Sequence, residues 1–388
     1  MKTIEYILNL SGQPLLFGLA LGLFIITTLW LFLLYRRPAF ASLKKNWVLP
    51  EEVPGVSVIL CVRNEYESLT TLLPALLEQK YPKFQIVVVN KNSEDDTEVL
   101  LASLEHFHKN LTVRNITANR KFGDDSLMAL GLGLRAAEHP YVVFFRPDFL
   151  PATDRWLEGL VKTGIHRKSE IAIGYLMLNQ NRLRVRYHFQ EQQLHQMALS
   201  DLGMPYAYTG VNVLFPKKYF TENKNFKTAT TAYNRCEQAI VAHTLLHAED
   251  AERKAAACTY PQSTLISTRR IPVSEYRFSH VQSLRTLVST KGWPYFLQIP
   301  EKLLIAAFYG IIILSFVNTF PWNHLWHWVF PAGLVLLRWI AVWSHHIGYR
   351  IHLGDKNLFY TAPLWDIFAP FSYFRYLILL LFKKIWSN

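Results

Sequence analysis

Residues 56–97 of this 388-residue chain read as a strand, a helix and a second strand joined by polar loops. The first apolar run, Val56–Val62, is short and stops at the charged Arg63. Leucines then recur at helical spacing until Gln79–Pro82, where proline removes a backbone donor and restricts the residue before it. Phe84–Val89 is a run typical of a parallel strand that is buried on both faces. The stretch therefore predicts a βαβ unit, which is characteristic of α/β folds.

The polar loops of this unit are candidate ligand-binding segments. In a βαβ unit both loops lie at the carboxyl ends of the strands, where open α/β sheets bind ligands. Here the loops begin with Arg63-Asn64-Glu65 and with Asn90-Lys91-Asn92. A third buried-strand pattern, Tyr141–Phe145, ends at Arg146-Pro147-Asp148.

An apolar stretch precedes the α/β region. Pro14–Tyr35 is almost uncharged and long enough to cross a bilayer, and Arg36 and Arg37 follow it at once. By the positive-inside tendency, this end of the segment faces the cytoplasm. A cleaved signal peptide fits less well, because the apolar core is too long and little positive charge precedes it.

Apolar segments also fill the C-terminal part of the chain. Leu303–Phe320 and Leu325–Trp343 predict a transmembrane hairpin whose flanks, Lys302 and residues 345–356, are basic. This arrangement again leaves the intervening region in the cytoplasm. Prolines and charged residues interrupt Leu358–Phe382. Two alternatives remain open for that segment: an interfacial helix followed by a short span, and a re-entrant piece.

Arg338 lies inside the second predicted span. A charge within the hydrocarbon region is costly and marks a functional candidate by default. Its partner would be a lipid phosphate or another membrane protein. Snorkelling of the guanidinium toward the interface is the alternative.

The net charge of +12 is compatible with two kinds of partner. Nucleic acid is one, but the sequence has no nucleic-acid motif with interleaved aromatic residues. Basic residues instead flank the apolar segments, where they favour anionic lipid headgroups. We therefore predict a lipid bilayer as a partner and no nucleic acid.

The order of motifs over residues 53–280 resembles the family 2 glycosyltransferases of GT-A fold. Up to Trp156 the resemblance rests on Arg63–Glu65, on Gln79–Pro82, on the loop Ser93–Thr97, and on HPYVVFFRPD with FLPATDRWL beyond it. Farther along it rests on a glycine and an asparagine that precede an apolar run in YTGVNVLF. The resemblance implies an α/β fold. The nucleotide-binding domain would be GT-A-like, with a mixed central sheet and helices on both faces, plus transmembrane helices at both ends.

The resemblance also implies a domain organisation and an activity. Residues 1–45 would form a membrane anchor, residues 46–300 the cytoplasmic glycosyltransferase domain, and residues 301–388 a membrane region of two or three helices. Such a bacterial cell-envelope enzyme would sit in the inner (cytoplasmic) membrane. It would pass a sugar from a UDP- or GDP-linked donor to a lipid-linked or polysaccharide acceptor.

Two family positions carry a cation where the family has an acid. The aspartate that reads the base corresponds to Lys91, with Asn90 and Asn92 as polar neighbours. The first aspartate of the Asp-x-Asp metal motif corresponds to Arg146, which leaves Asp148 as the residual metal ligand. Because an arginine repels a divalent cation, Mg²⁺ or Mn²⁺ binding is expected to be impaired.

The remaining family positions are partly retained. The acidic pair that supplies the catalytic base is reduced to Glu237, and Arg277 is what remains of a membrane-proximal Gln-x-x-Arg-Trp motif. A planar arginine suits a diphosphate, and the lysine that opens a helix before the metal strand corresponds to Lys121. The predicted donor-binding residues are Arg63, Glu65, Asn90, Lys91, Asn92, Lys121, Arg146 and Arg277.

Two functions remain open at this point. One is an active membrane-bound glycosyltransferase with Glu237 as its general base. The other is a pseudo-glycosyltransferase, a scaffold or regulatory subunit of a membrane complex with a membrane protein partner. Within the site, Lys91 and Arg146 either replace the metal as phosphate binders or mark a site that has decayed.

Overall fold

A computed structural model describes residues 2–35, 49–116, 126–180, 182–205, 210–221, 241, 255–270, 293–318, 325–354 and 358–385. The chain forms two compact units. An α/β unit comprises residues 41–294 with 352–354, and a helical unit comprises residues 1–40, 295–351 and 355–388.

The described helices and strands alternate through the first half of the α/β unit, as the sequence predicts. The helices are α1 (Lys2–Leu34), α2 (Tyr66–Leu77), α3 (Thr97–Phe107), α4 (Ser126–Ala136), α5 (Trp156–Arg167), α6 (Leu183–Asp201), α7 (Lys218–Thr221), α8 (Gln298–Asn318), α9 (Trp326–Leu353) and α10 (Ala362–Ile385). The strands are β1 (Val56–Val62), β2 (Phe84–Asn90), β3 (Leu111–Asn115), β4 (Tyr141–Phe145), β5 (Phe149–Pro151), β6 (Ile171–Ile173), β7 (Leu176–Met177), β8 (Val213–Pro216), β9 (Ala255–Ala257) and β10 (Leu265–Ser267).

The main sheet is mixed, which confirms the predicted fold class. Within the described ranges it contains seven strands in the order β3-β2-β1-β4-β8-β6-β9. Strand β1 pairs in parallel with β2 and β4, and β2 pairs in parallel with β3. Strand β8 runs antiparallel to β4 and to β6. A second, three-stranded sheet has the order β5-β10-β7.

Strand β1 is buried between helices on both faces of the sheet. Val58, Leu60 and Val62 share a core with the leucines of α2. Successive side chains of a strand point to opposite faces, so Ile59 faces the other side. There it packs against α4 at Gly133, where an added Cβ would come within 2.6 Å of the Ile59 side chain.

The predicted helix breaker after α2 also links two helices. The side-chain nitrogen of Gln79 donates hydrogen bonds to the carbonyls of Ala75 and Thr153, both at 3.0 Å. The side-chain oxygen of Gln79 accepts a hydrogen bond from the backbone nitrogen of Leu157 at 3.3 Å. Gln79 therefore holds the end of α2 against the start of α5, a role that the local sequence does not reveal.

The helical unit has the composition of a membrane region. Of the helices that the structure describes, three are long and apolar enough to cross a membrane: Pro14–Leu34, Trp293–Asn318 and Trp326–Leu353. The last two correspond to the predicted hairpin. Their presence indicates a membrane association.

Lys302 is not an exposed flank of the hairpin. It lies within α8, its side chain is 2% exposed, and its ammonium nitrogen is 3.0 Å from a carboxylate oxygen of Glu301. The other carboxylate oxygen of Glu301 accepts a hydrogen bond from the Tyr35 hydroxyl at 3.0 Å. Burial of this lysine is possible because an adjacent carboxylate neutralises it.

The ambiguous segment Leu358–Phe382 is largely one continuous helix, α10, which includes Pro363 and Pro370. Pro363 lies in the first turn, where its missing N–H has no helical acceptor. Pro370 removes only the hydrogen bond to the carbonyl four residues earlier, and the helix tolerates that loss. The sequence suggests that these prolines interrupt the segment, but neither proline ends the helix.

Arg338 does not snorkel but is buried in the helical unit. Its Nε donates to one carboxylate oxygen of Asp366 at 3.0 Å, and its Nη2 donates to the other at 2.8 Å. The Tyr309 hydroxyl donates to the same carboxylate at 2.7 Å. Helices α8, α9 and α10 therefore meet at the single carboxylate of Asp366.

Candidate functional site

The carboxyl ends of three neighbouring parallel strands meet at one edge of the main sheet. In the register of β1 and β2, Val62 lies opposite Asn90. The residues that follow β1, β2 and β4 are Arg63, Lys91 and Arg146. Parallel pairing of β1 with both neighbours therefore gathers three cationic side chains that are far apart in sequence.

A cleft of about 430 Å³ opens at this edge. Its charged lining residues, within the part of the chain that the structure describes, are Arg63, Glu65, Lys91, Arg146, Asp148 and Arg269. Four of these side chains are cations and two are carboxylates, so they leave a net charge of +2 at neutral pH. The volume is that of a small-molecule site, and the charge favours an anion.

The loop after β1 is tied to the loop after β2. The backbone nitrogen of Asn64 donates to the Ser93 hydroxyl at 2.9 Å, and the Asn64 side-chain oxygen accepts from the backbone nitrogen of Glu94 at 2.8 Å. The backbone nitrogen of Glu65 donates to the Thr97 hydroxyl at 3.1 Å. These contacts fix the backbone that carries the cleft residues of both loops.

Asp95 joins the starts of two helices, α2 and α3. Its carboxylate accepts hydrogen bonds from the backbone nitrogens of Tyr66 and Thr97, both at 3.2 Å, at the first residues of α2 and α3. The hydrogen bond from the Thr97 hydroxyl, together with these backbone donors, holds the pKa of Asp95 below its usual value. An ionised carboxylate at two helix N-termini is electrostatically favourable.

Asn90 and Asn92 are not among the residues that line the cleft. Asn90 is only 1% exposed, and its side-chain oxygen accepts hydrogen bonds from the hydroxyl and backbone nitrogen of Ser93 at 2.6 and 3.2 Å. Asn92 is exposed and has a left-handed backbone with φ of 51°, which asparagine tolerates better than most residues. The structure thus gives Asn90 a loop-shaping position, and its contact with a ligand stays a prediction.

Arg146 and Asp148 pair with each other at the end of β4. The Arg146 Nε donates to one oxygen of Asp148 at 2.6 Å, and its Nη2 donates to the other. The guanidinium carbon also lies 5.7 Å from the centre of the Phe149 ring, within the range of a cation–π contact. Both oxygens of the predicted metal ligand are therefore engaged by a cation.

This arrangement does not fit a bound divalent cation. Mg²⁺ and Mn²⁺ need several oxygen ligands, of which carboxylates are the strongest. Among the residues that the structure describes, no group of three or more His, Cys, Asp or Glu side chains is placed to hold a metal ion. The Asp148 carboxylate instead pairs with the Arg146 guanidinium.

Sequence reasoning missed Arg269. It follows β10, whose Ser267 lies opposite Phe149 of β5. The backbone nitrogen of Thr268 donates to the Asp148 carbonyl at 2.9 Å, which brings this turn to the Arg146–Asp148 turn. The only sequence signal is the pair Arg269-Arg270 after a short apolar run, and nothing local connects that pair to β4.

The segment before β8 forms another part of the cleft wall. Gly210 and Val211 line the cleft, and Asn212 beside them is fully buried. The Asn212 side chain donates to the carbonyls of Tyr175 and Ser263 at 2.9 and 3.0 Å. Its oxygen accepts from the indole nitrogen of Trp156 at 2.8 Å, so this side chain anchors the wall from behind.

Three predicted site residues, Lys121, Glu237 and Arg277, lie outside the described residues. Their roles stay predictions from the resemblance. The cleft does bring together Arg63, Glu65, Lys91, Arg146 and Asp148.

The fold and the cleft define an α/β domain of GT-A type whose sheet edge carries a cationic cleft. Residues 57–240 match the sequence profile described as "Glycosyl transferase family 2". That segment of the chain is a family 2 glycosyltransferase domain.

Two curated relatives are similar over part of this domain. Poly-beta-1,6-N-acetyl-D-glucosamine synthase of Staphylococcus aureus (strain COL) is 26% identical over 119 residues, which are 31% of this chain and 28% of that protein. The protein of the same name from Staphylococcus epidermidis is 28% identical over 98 residues, or 25% of this chain and 23% of that protein. The chain thus spans less than a third of the length of these relatives.

A solved structure is similar over nearly the whole chain. It is the mannosyltransferase PcManGT from Pyrobaculum calidifontis in complex with GDP-Man and Mn²⁺. The sequence identity is 20%, the match covers 96% of this chain and 99% of that chain, and the TM-score is 0.51. At this identity the likeness establishes the fold.

Proposed function

We propose that this chain is a membrane-associated glycosyltransferase that binds the diphosphate of a UDP- or GDP-linked sugar in the cleft. The observation that carries the proposal is the net charge of +2 among the charged residues that line it. A sugar nucleotide presents a dianionic diphosphate, which such a cleft complements. The GDP-Man bound by the similar mannosyltransferase supports a nucleotide sugar as the donor.

The proposed acceptor is a polysaccharide or a lipid-linked sugar at the cytoplasmic face of the inner membrane. The names of the staphylococcal relatives, which are synthases of a polysaccharide, support this acceptor class. The apolar helices support the membrane location. The corresponding organisation is an anchor at 1–45, a transferase domain at 46–300 and a membrane region at 301–388.

Transfer also needs a base that takes the proton of the acceptor hydroxyl. We assign this role to Glu237, and we assign donor contacts to Lys121 and Arg277, in each case from the family resemblance. Cations around the diphosphate stabilise the charge that develops on the departing nucleoside diphosphate. Arg63 and Lys91 line the cleft and would contribute to this stabilisation.

Calorimetry on the full chain in detergent tests the proposal. UDP and GDP would each be titrated in EDTA and in Mn²⁺, with inorganic phosphate as the control for unspecific anion binding. We expect one of the nucleotides to bind more tightly than phosphate does. If neither nucleotide binds under either condition, the proposed function is wrong.

A second candidate, the pseudo-glycosyltransferase, is favoured by one observation. Arg146 and Asp148 pair with each other in the turn that the resemblance assigns to the family's metal motif. The two candidates differ in turnover of UDP-N-acetylglucosamine or GDP-mannose by the full chain in its membrane. An inactive subunit would bind nucleotide but release none from the sugar.

For the active enzyme, Glu237→Gln is expected to lower the rate of sugar transfer by about 10²- to 10⁴-fold, because the acceptor proton loses its base. The rate of nucleotide release with acceptor membranes measures this effect, and nucleotide affinity should stay the same. Equal rates for Glu237→Gln and the parent chain would remove Glu237 from the mechanism.

A further inference from the structure

We propose that the cleft binds the nucleotide diphosphate through Arg146 and Arg269 in place of a divalent cation. This inference rests on the function proposed above and concerns how the same site holds its donor. It departs from the metal-dependent pattern that the family resemblance implies.

The position of Arg146 is the first argument. It lies at the carboxyl end of β4, where the resemblance places the first aspartate of the metal motif. Asp148 and the Phe149 ring hold the guanidinium in a fixed orientation. Its side chain nevertheless keeps 35% of its surface exposed, so a ligand in the cleft can reach it.

Charge balance is the second argument. In a metal motif, two carboxylates and one divalent cation leave no net charge. Arg146 with Asp148 also leaves no net charge, but without a metal. Lys91, in place of the base-reading aspartate, adds a further cation to the cleft. Both replacements, at Lys91 and Arg146, put a positive side chain where the family has a negative one. Together they favour binding of a dianion by side chains alone.

Arg269 supplies a cation from a different part of the fold. It reaches the cleft from the turn after β10, which is hydrogen-bonded to the Asp148 carbonyl through Thr268. A guanidinium suits phosphate because it is planar and can donate two parallel hydrogen bonds. Arginines at two independent turns of one cleft can therefore contact the diphosphate from two directions.

The test compares nucleotide affinity in EDTA and in Mn²⁺ for the full chain in detergent. We expect the dissociation constant of the preferred nucleotide, UDP or GDP, to differ by less than about twofold between the two conditions. Arg146→Met and Arg269→Met should each weaken binding in EDTA by about tenfold to a hundredfold, since each removes a charge-assisted contact. Arg114→Met, at an exposed arginine of β3 outside the cleft lining, is the matched control and should leave affinity unchanged.

Arg146→Lys keeps the charge but loses the paired donors of the guanidinium. We expect it to bind nucleotide more tightly than Arg146→Met does. This ordering separates a ligand contact from a general loss of stability, and the melting temperature of each variant checks that it is folded. Equal affinity of both variants with the parent chain would contradict the role of Arg146.

A double substitution that restores the family's two aspartates provides an independent test. Lys91→Asp combined with Arg146→Asp should reduce binding in EDTA and make binding depend on Mn²⁺. A parent chain that binds nucleotide only with Mn²⁺ would overturn the inference while the proposed function stands. A parent chain that binds no nucleotide in either condition would instead refute the proposed function itself.

Discussion

Arg338→Met is expected to lower the free energy of unfolding of the helical unit by about 3–5 kcal/mol, because it leaves a buried carboxylate without its cation. Arg338 is 1% exposed and donates two hydrogen bonds to Asp366. Without Arg338, the Asp366 carboxylate is left unpaired at the point where α8, α9 and α10 meet. The measurement is the apparent melting temperature of the purified chain in lipid nanodiscs, followed by tryptophan fluorescence.

Two further variants identify the cause of this loss. Arg350→Met changes an exposed arginine on the same helix and should leave the melting temperature nearly unchanged. Arg338→Met combined with Asp366→Leu and Tyr309→Phe removes all three members of this hydrogen-bonded cluster, and should recover much of the loss because the unpaired Asp366 carboxylate is gone. If this triple variant is no more stable than Arg338→Met alone, packing and not charge pairing explains the effect.

Asn212→Leu is expected to lower the free energy of unfolding of the α/β unit by about 3 kcal/mol, since three buried groups each lose a hydrogen bond at once. These are the indole nitrogen of Trp156 and the carbonyls of Tyr175 and Ser263. Nucleotide affinity should fall as well, because Gly210 and Val211 beside it line the cleft. Thermal unfolding and calorimetry measure the two effects.

The left-handed backbone at Asn212 could also affect stability, so it needs a separate control. Its φ is 58°, and Asn92 has nearly the same value, 51°, but is exposed. Asn92→Leu therefore measures the cost of a left-handed backbone without the loss of buried hydrogen bonds. Asn212→Gly relieves the backbone and still loses those bonds. A stable Asn212→Gly variant would show that the hydrogen bonds contribute little.

Local sequence was sufficient for the first half of the α/β unit. The predicted runs Val56–Val62 and Tyr141–Phe145 are strands β1 and β4, and Phe84–Val89 is β2 without its last residue. Strand and helix periods differ, and polar residues or a proline end each run. Because parallel strands share an edge, the sequence also predicts that Arg63, Lys91 and Arg146 lie near one ligand site.

The local pattern does not distinguish lining from supporting residues. Asn90 and Lys91 are neighbours at the same strand end, yet Lys91 lines the cleft and Asn90 is buried against Ser93. Arg146 and Asp148 lie two residues apart, but their pairing depends on side-chain orientation after the turn. Burial and hydrogen bonding decide these roles, and both depend on the folded chain.

Local sequence patterns were enough to predict the βαβ unit and to show the family resemblance, which in turn implies a reversal of charge at Lys91 and Arg146. Arg269 joins the cleft only in the folded chain, through β10, a three-residue strand that pairs with β5 from a distant part of the chain. The tertiary structure also joined Arg338 to Asp366 and made Asn212 an anchor of the cleft wall. The physical reason is that periodicity and strand ends are local properties, whereas these contacts join segments that become neighbours only when the sheets and helices pack.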